Sequence, residues 1–273
     1  MRYRLVAADM DGTLLDDGSN ISEKTKSAII DAVEAGVLFV TATGRPMCAS
    51  EDVNALFVRD MPFIVFNGVV AVLGKSKKIL FSSSLDLRQA KRIYETGVVR
   101  GVPVIMWTLE ETLWASLDCA ATQNYRRISD AKLNIIEDFE KSAKAGIAKM
   151  MWIDEPEKIK GYQGEMSELL KGQVNCYASR PIFLEFVGAN SSKGAALCEI
   201  GRIYGIDRSE MVAIGDSDND ISMLEYAGLG VAMGNASDEV KAVCQHITLS
   251  NNEDGVAEIF EKFIINNAEC RIV

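Results

Sequence analysis

Short apolar runs alternate with amphipathic segments along most of the chain. The runs at 4–8, 37–40 and 63–66 have the length of buried strands, and the segment between Ser22 and Gly36 has the end signals of a helix. Buried strands that alternate with helices are typical of a parallel sheet with helices on its faces. After residue 192 the pattern resumes, with strands predicted at 211–215, 229–232 and 246–249 and helices predicted at 220–227, after Ser237 and from Gly255.

Two features interrupt this alternation. The runs 69–73 and 79–81 flank the turn GKSKK and predict a hairpin. From about residue 85 the order of elements changes to a mixed α+β block of roughly one hundred residues, which is long enough to fold as a domain. Within it we predict helices at 86–100 and 156–171, a polar helical stretch before residue 147, and strands at 103–108, 112–117, 147–153, 174–178 and 182–187.

The pattern therefore predicts an α/β fold with two parts. Residues 1–84 and 187–273 would form a doubly wound, Rossmann-like parallel sheet, and 85–186 would form an inserted α+β cap domain. A chain of 273 residues is long enough for both. Open sheets of this kind bind ligands at the carboxyl ends of their strands, so polar residues at those ends are the candidates for chemistry.

Composition and charge limit the possible partners. Hydrophobic residues make up 48% of the chain and charged residues 25%, which is ordinary for a soluble globular protein. The formal net charge of −10 argues against nucleic acid or an anionic membrane surface as a partner. No apolar run approaches the ~20 residues of a membrane span, and the first residues lack the apolar region of a signal peptide. We therefore expect a cytoplasmic protein.

Cysteine usage agrees with a reducing compartment. None of the six cysteines belongs to a C-x-x-C motif, and most stand among apolar residues. We expect them to be buried, reduced thiols. They occupy positions 48, 119, 176, 198, 244 and 270.

Two aspartates stand where the first predicted strand ends, in the string Asp9-Met10-Asp11-Gly12-Thr13. In an extended chain Asp9 and Asp11 would point to opposite faces, but a turn at Gly12 would let both carboxylates approach one site. Two carboxylates that close repel each other, and Mg²⁺, which prefers oxygen ligands, would compensate them. The plain alternative is an ordinary strand-to-loop turn.

A second acidic loop, GDSDND at 215–220, follows the apolar strand predicted at 211–215. It would lie at the same edge of the sheet as the first acidic string. An EF-hand calcium loop does not fit, because the required glycine and the distal glutamate are missing. An acidic turn that caps the next helix is the plain alternative.

The string DMDGTLLD, which starts at Asp9, resembles the first motif of the haloacid dehalogenase-like (HAD) phosphatases. The three further motifs of that family follow in order at Thr43-Gly44-Arg45, at Lys193 and in the loop GDSDND, so the resemblance covers the whole chain. The chain is most similar to the Cof-type branch, also called type IIB. In that branch a large α/β cap is inserted between the second and third motifs, where 85–186 stands.

The resemblance implies a role for each motif residue. Asp9 would be the nucleophile that forms an aspartyl phosphate, and Asp11 would be the acid and base that protonates the leaving oxygen and then activates water. Mg²⁺ would be held by Asp9, by the main-chain carbonyl of Asp11 and by Asp216. Thr13 and Asp220 would contact the groups that bind the metal without binding it themselves. Phosphate or substrate would be bound by Met10 through its amide and by Thr43, Gly44, Arg45, Lys193 and Asn219.

Some of these residues also have plainer interpretations. Taken alone, Lys193 is typical of a solvated lysine in the first turn of a helix, although a lysine there opposes the helix dipole. Thr43 alone could be a β-branched strand residue. His246, the single histidine, is expected to be structural, and Trp107, Trp114 and Trp152 are expected to be core residues of the cap.

The leading functional hypothesis is a Mg²⁺-dependent phosphatase for phosphate monoesters of small soluble metabolites such as sugar phosphates. A phosphomutase or another phosphotransferase would use the same motifs but would protect the aspartyl phosphate from water. A signalling receiver domain with a phospho-aspartate switch would lack both the cap and an acid two residues after the acceptor. A non-catalytic binding protein would normally have lost a motif residue. The sequence indicates neither the individual substrate nor the oligomeric state.

Overall fold

The chain divides into two units in the computed structural model, which describes residues 2–129 and 131–265. Of these residues, the first unit contains those up to Gly44, the segment Ser50–Phe81 and those from Ser192 onward. The second unit contains Arg45–Ala49 and Ser82–Ser191. Within the described ranges, every helix is too short or too polar to cross a membrane.

The elements below are numbered in chain order and refer to the described residues. The strands are β1 (Leu5–Asp9), β2 (Leu38–Ala42), β3 (Pro62–Val65), β4 (Val70–Leu73), β5 (Ile79–Ser82), β6 (Val104–Thr108), β7 (Leu113–Ala115), β8 (Leu133–Ile135), β9 (Ile147–Ile153), β10 (Val174–Arg180), β11 (Phe183–Gly188), β12 (Met211–Gly215), β13 (Leu229–Ala232) and β14 (His246–Ile247). The α-helices are α1 (Glu23–Glu34), α2 (Glu51–Ala55), α3 (Leu87–Val99), α4 (Ala120–Ser129), α5 (Phe139–Ser142), α6 (Pro156–Leu169), α7 (Lys193–Tyr204), α8 (Ile221–Tyr226), α9 (Asp238–Val243) and α10 (Gly255–Ile259), and the π-helical segment Phe260–Ile265 continues α10.

The first unit contains an eight-stranded sheet in the order β14-β13-β12-β1-β2-β3-β4-β5. Neighbouring strands from β14 to β3 are parallel, whereas β4 runs antiparallel to β3. From β1 the chain builds the sheet in one direction through β2 and β3 and later in the other direction through β12 and β13. The sheet therefore has its topological switch point at β1 and β12, where open sheets of this type bind ligands.

Helices cover both faces of this sheet, as the doubly wound prediction requires. Side chains alternate between the faces along a strand, and the neighbours Phe39 and Val40 of β2 show the two environments. Val40 belongs to the same buried cluster as Leu197 and Ile200 of α7. The ring of Phe39 packs on that of Phe260, directly after α10, with centroids 6.0 Å apart. The predicted α/β fold is confirmed, with the addition of an antiparallel edge at β4.

The helix ends follow from local sequence chemistry. Ser22 caps α1 by accepting a hydrogen bond from the Thr25 amide at 3.1 Å, and Gly36 just beyond that helix has a φ of 98°. Ser192 caps α7 in the same way through the Ala195 amide at 3.1 Å. The cap at Ser192 matters for the site, because it makes Lys193 the first residue of α7.

The second unit contains a six-stranded sheet in the order β10-β11-β9-β6-β7-β8. Its pairs are antiparallel except β7 with β8, which are parallel. The unit has its own core, in which Trp152 is fully buried with Phe186 at a centroid distance of 5.2 Å. Trp107 is also fully buried, whereas Trp114 is only partly buried, so the expectation of three core tryptophans holds for two.

Part of the second unit differs from the sequence-based expectation. Between β7 and β9 we predicted only a polar helical stretch, but the chain forms α4, the short strand β8 and the single turn α5. Two residues of β8 are partly buried and Ile135 is exposed, so the segment lacks the apolar run by which the other strands were predicted. The segment Arg45–Ala49 also groups with this unit, where the Glu111 carboxylate accepts hydrogen bonds from the Met47 and Cys48 amides.

The cysteines also differ in part from expectation. Those within the described residues are free thiols, but Cys48 is exposed and the others are only partly buried. Cys270 lies outside the described residues. The partly buried ones are Cys119, Cys176, Cys198 and Cys244.

Candidate active site

Three carboxylates meet at the switch point of the first unit's sheet. Asp9 is the last residue of β1 and is only 4% exposed, and Asp216 directly follows the neighbouring strand β12. One carboxylate oxygen from each of Asp9, Asp216 and Asp220 lies within 4.8 Å of the other two. The side chain of Asp11 is exposed and does not belong to this group. The convergence of Asp9 and Asp216 follows from the parallel pairing of β1 with β12.

Lys193 lies inside this carboxylate cluster and is fully buried. Its Nζ contacts Asp9 Oδ1 and lies 2.6 Å from Asp220 Oδ1. The interpretation of Lys193 as a solvated helix residue is therefore wrong. An ammonium group is tolerated in such a place only because carboxylates surround it, and burial lowers its pKa less than Asp9 and Asp220 raise it.

Asp220 also holds the acidic loop together. Its second oxygen, Oδ2, accepts hydrogen bonds from the backbone amides of Asp216 at 3.0 Å and Ser217 at 3.1 Å. With Lys193 on the other oxygen, both oxygens of this carboxylate have partners. Asp220 therefore fixes the position of Asp216 and of the lysine at the same time.

Thr13 and Gly12 place the carboxylate of Asp216. Thr13 Oγ1 donates a hydrogen bond to Asp216 Oδ1 at 2.9 Å. Gly12 has a φ of 81°, and a Cβ at this position would lie 2.6 Å from Asp216 Oδ2. Glycine is therefore the residue that lets the loop after β1 turn this closely around the carboxylate.

The cluster has more negative than positive charge. The pKa of Asp9 is raised to about 8, mainly by burial, with smaller contributions from Asp220 and Asp216 and against the opposing effect of Lys193. Burial likewise raises the pKa of Asp216 to about 6. Three carboxylates with one ammonium group have a surplus of negative charge, and their oxygens are the hard ligands that Mg²⁺ prefers. The donor set thus fits a divalent cation.

The structure gives each remaining motif residue its own local partners. Met10 is buried, and its carbonyl accepts a hydrogen bond from the Leu15 amide at 2.9 Å. Thr43 follows β2, is fully buried, and donates its amide hydrogen to the carbonyl of Ile64 at 2.8 Å. Asn219 lies in the acidic loop, where its Nδ2 donates to Asn67 Oδ1 at 2.9 Å. Arg45 belongs to the second unit, and its Nη1 lies 3.5 Å from the carbonyl of Ala49.

Two further polar residues lie outside the predicted set. Asn235 donates from Nδ2 to the carbonyl of Gly12 at 2.8 Å and thereby supports the loop after β1. It could have been found from its place after β13, at the same edge of the sheet. His246 lies in β14, where its ring packs against Phe263 at a centroid distance of 5.3 Å.

Comparison with known proteins agrees with these observations. Residues 6–260 match the model of the haloacid dehalogenase-like hydrolase family. The chain is 31% identical to the 5-amino-6-(5-phospho-D-ribitylamino)uracil phosphatase YwtE of Bacillus subtilis, over 96% of this chain and 98% of that one. The structure is similar to that of TM0651 from Thermotoga maritima, with a TM-score of 0.86, 31% identity and coverage of 96% and 97% of the two chains.

The structure is also similar to that of a sugar phosphatase. It is the HAD subclass IIB sugar phosphatase BT4131, with a TM-score of 0.74, 25% identity and coverage of 95% of this chain and 98% of that one. The family match spans most of the chain, and two of these relatives, YwtE and BT4131, are phosphatases by name. The chain therefore belongs to the haloacid dehalogenase-like hydrolase family and is a phosphatase of its Cof-type branch.

Proposed function

We propose that the protein is a Mg²⁺-dependent phosphatase that hydrolyses phosphate monoesters of small metabolites through an aspartyl phosphate on Asp9. The observation that carries the proposal is the position of the Asp9 carboxylate. It is buried at the end of β1, in contact with the ammonium group of Lys193 and close to the carboxylates of Asp216 and Asp220. This arrangement suits a nucleophile that must receive a negatively charged phosphoryl group.

Asp9, Asp216 and the main-chain carbonyl of Asp11 would hold the Mg²⁺ ion. When bound, the ion would neutralise charge on the carboxylates and on the phosphoryl oxygens. The proposal is supported by the surplus of negative charge in the cluster and by its all-oxygen donor set. Thr13 supports Asp216 through its hydroxyl group, and Asp220 supports the loop that carries Asp216.

The chemistry proceeds in two displacement steps. An oxygen of the Asp9 carboxylate attacks phosphorus, and the bond from phosphorus to the leaving oxygen breaks as Asp11 donates a proton to that oxygen. Water then attacks the phosphorus of the aspartyl phosphate while Asp11 takes one of its protons. The bond from phosphorus to Asp9 breaks, and inorganic phosphate leaves.

The other motif residues bind the phosphoryl group. Lys193 lowers the pKa of Asp9 against the larger effect of burial, and it would offer its positive charge to a phosphoryl oxygen. Thr43 and Asn219 would donate hydrogen bonds from side chains, and Met10 would donate one from its amide. Gly44 lacks a side chain and would let the backbone approach the phosphate closely.

Residues 85–186 would act as a cap that selects the substrate and excludes water, with Arg45 reaching the substrate. A small phosphorylated metabolite is the proposed substrate class, and sugar phosphates are its leading members. This choice is supported by the names of the relatives, which include a ribitylaminouracil phosphate phosphatase and a sugar phosphatase. The net charge of −10 disfavours nucleic acid and anionic membranes as partners, and we propose a cytoplasmic location.

The test is release of inorganic phosphate from a panel of phosphorylated metabolites by purified protein, with Mg²⁺ and with EDTA. We expect turnover with Mg²⁺ and none after chelation, whereas full activity after exhaustive metal removal would refute the proposal. Transfer of the phosphoryl group to a second hydroxyl without release of phosphate would instead identify a phosphomutase or another phosphotransferase. The hypothesis of a signalling receiver domain is rejected, because the chain belongs to a family of hydrolases.

A further inference from the structure

The turn between β3 and β4 has a backbone conformation that most residues avoid. Its three consecutive residues all have positive φ angles, of 52° at Phe66, 57° at Asn67 and 96° at Gly68. A left-handed conformation is unfavourable for any residue with a Cβ, and more so for a bulky side chain such as phenylalanine. Backbone strain of this kind persists where the surrounding structure imposes it, and it concentrates at functional sites.

The turn packs against two backbone segments of the candidate site. A Cβ on Gly68 would lie 2.0 Å from the carbonyl oxygen of Ser192 and 2.6 Å from the backbone nitrogen of Lys193, so the turn lies directly against the start of α7. The Asn67 amide donates a hydrogen bond to the carbonyl of Thr43 at 3.0 Å. The turn thus joins the end of β2 to the beginning of α7.

The side chain of Asn67 reaches a third segment, the acidic loop. Asn67 Oδ1 accepts a hydrogen bond from Asn219 Nδ2 at 2.9 Å, and Asn219 Oδ1 in turn accepts one from Ser217 Oγ at 2.9 Å. Both ends of the Asn219 amide are therefore held. Since an amide nitrogen has two hydrogens, one N–H of Asn219 remains to donate to another acceptor.

We propose that Asn67 is a positioning residue for phosphate binding, which holds the amide of Asn219 so that its remaining N–H can donate to a phosphoryl oxygen. The inference rests on the proposed function, because it takes Asn219 as a phosphate ligand. It also accounts for the strained turn. Asparagine tolerates the left-handed region better than most residues, and this backbone brings its carboxamide beside Gly44, whose Cβ position is 2.9 Å from Asn67 Oδ1.

Asn67→Gly tests the effect of the side chain apart from that of the backbone conformation. Glycine adopts positive φ freely but offers no hydrogen-bond acceptor to Asn219. We expect KM for a small phosphate monoester to rise about tenfold, and inorganic phosphate in the presence of Mg²⁺ to bind about tenfold more weakly. We expect kcat to change less than about threefold, since the lost contact binds ground state and transition state alike. Calorimetry measures phosphate binding, and thermal unfolding checks that the variant is folded.

Lys77→Gly is the matched control. Lys77 also has a positive φ, of 56°, but lies in the exposed turn between β4 and β5. This variant should leave KM and the affinity for phosphate at their wild-type values. A similar loss in Lys77→Gly and Asn67→Gly would mean that glycine at a left-handed position is itself the cause, and it would overturn the inference.

A double-mutant cycle tests whether Asn67 acts through Asn219. If it does, Asn67→Gly should add no further loss to Asn219→Ala. Equal losses in both backgrounds, or an Asn67→Gly protein with wild-type KM and phosphate affinity, would overturn the inference. A wild-type protein that binds inorganic phosphate with Mg²⁺ but hydrolyses no phosphate monoester would contradict the proposed function instead. The cycle would still be measurable through phosphate binding.

Discussion

Each of the two units contains a buried lysine in contact with at least one carboxylate. The number of carboxylates around the lysine, and therefore the net charge of the cluster, differs between the two units. In the second unit, Lys149 lies 3.2 Å from Glu185, and both side chains are 8% exposed. The other oxygen of Glu185 accepts a hydrogen bond from Ser179 at 2.7 Å, so this pair is neutral and hydrogen-bonded. In the first unit, Lys193 is shared by Asp9 and Asp220, with the carboxylate of Asp216 nearby.

The difference separates a structural ion pair from a site prepared for a ligand. A neutral pair with satisfied hydrogen bonds needs nothing more from its surroundings. A cluster with surplus negative charge is unfavourable on its own and becomes favourable when a cation binds. We therefore expect substitutions at Lys149 to change stability, and substitutions around Lys193 to change metal binding and turnover.

The largest effect should come from Asp9→Asn, which removes the nucleophile but preserves the size of the side chain. We expect steady-state turnover of every phosphate monoester to fall at least about 10⁴-fold, to the background of a phosphate-release assay. Asp218→Asn is the matched control, because Asp218 is an exposed aspartate of the acidic loop and should retain wild-type turnover. Substantial activity in Asp9→Asn would show that another group attacks phosphorus.

Asp11→Asn should give the second-largest loss, and its size should depend on the leaving group. Without a proton donor, we expect hydrolysis of a sugar phosphate to fall by about 10²–10⁴-fold. The first step with p-nitrophenyl phosphate should suffer less, because nitrophenolate needs little protonation to leave. Pre-steady-state kinetics with both substrates would measure this difference. Equal losses in the first step would argue against Asp11 as the acid.

The two lysines can be compared directly by substitution with methionine. Lys149→Met leaves the buried Glu185 without its counter-charge and should lower the free energy of unfolding by about 3–5 kcal/mol. Adding Glu185→Leu should restore much of that loss, since an apolar pair replaces an ionic one. Chemical denaturation would measure both variants. A Lys149→Met protein as stable as wild type would mean that the pair does not stabilise the second unit.

Lys193→Met should behave differently. It leaves the Asp9 cluster more negative, so we expect lower stability without metal and partial recovery on addition of Mg²⁺. Thermal unfolding with and without Mg²⁺ would detect the recovery, and Lys149→Met should show no such recovery beyond that of the wild type. Equal responses of the two variants would remove the distinction between the two clusters.

A smaller effect is expected in the pH dependence of metal binding. The pKa values of Asp9 and Asp216 are raised from 3.8 to about 8 and about 6 in the metal-free folded chain. The folded state then binds more protons than the unfolded state, so these groups make the metal-free protein less stable as pH rises from about 4 to 8. Mg²⁺ needs the ionised carboxylates. Its stabilising shift in unfolding temperature should therefore be larger at pH 8 than at pH 6, and a pH-independent shift would contradict the raised pKa values.

The sequence predicted most of the fold because buried strands are apolar runs. Strands β9, β12 and β13 have the predicted bounds, and β1 differs by one residue at each end. The prediction failed at β8, whose residues are partly exposed and carry no such run. The antiparallel pairing of β4 with β3 was also missed, since periodicity defines strands but not their order.

The site was predicted unevenly for a related reason. Asp9 and Asp216 could be placed together because Asp9 ends one strand and Asp216 follows the neighbouring strand at the same edge of the sheet. The burial of Lys193 and its contact with Asp9, 184 residues earlier in the chain, have no local signal. The bond between Asn67 and Asn219 spans 152 residues and depends on a strained turn that composition does not reveal. Contacts of this kind are set by the packing of elements, which the local pattern does not encode.

The central claim is that phosphate is transferred to Asp9, and rapid-quench kinetics with labelled phosphate monoester tests it most directly. Asp11→Asn retains the nucleophile but lacks the base for the second step, so we expect an acid-stable phosphoenzyme to accumulate in that variant, with the label on Asp9 by mass spectrometry. In Asp9→Asn no phosphoenzyme should form at any time. A labelled protein in Asp9→Asn, or a label on another residue in Asp11→Asn, would contradict the account.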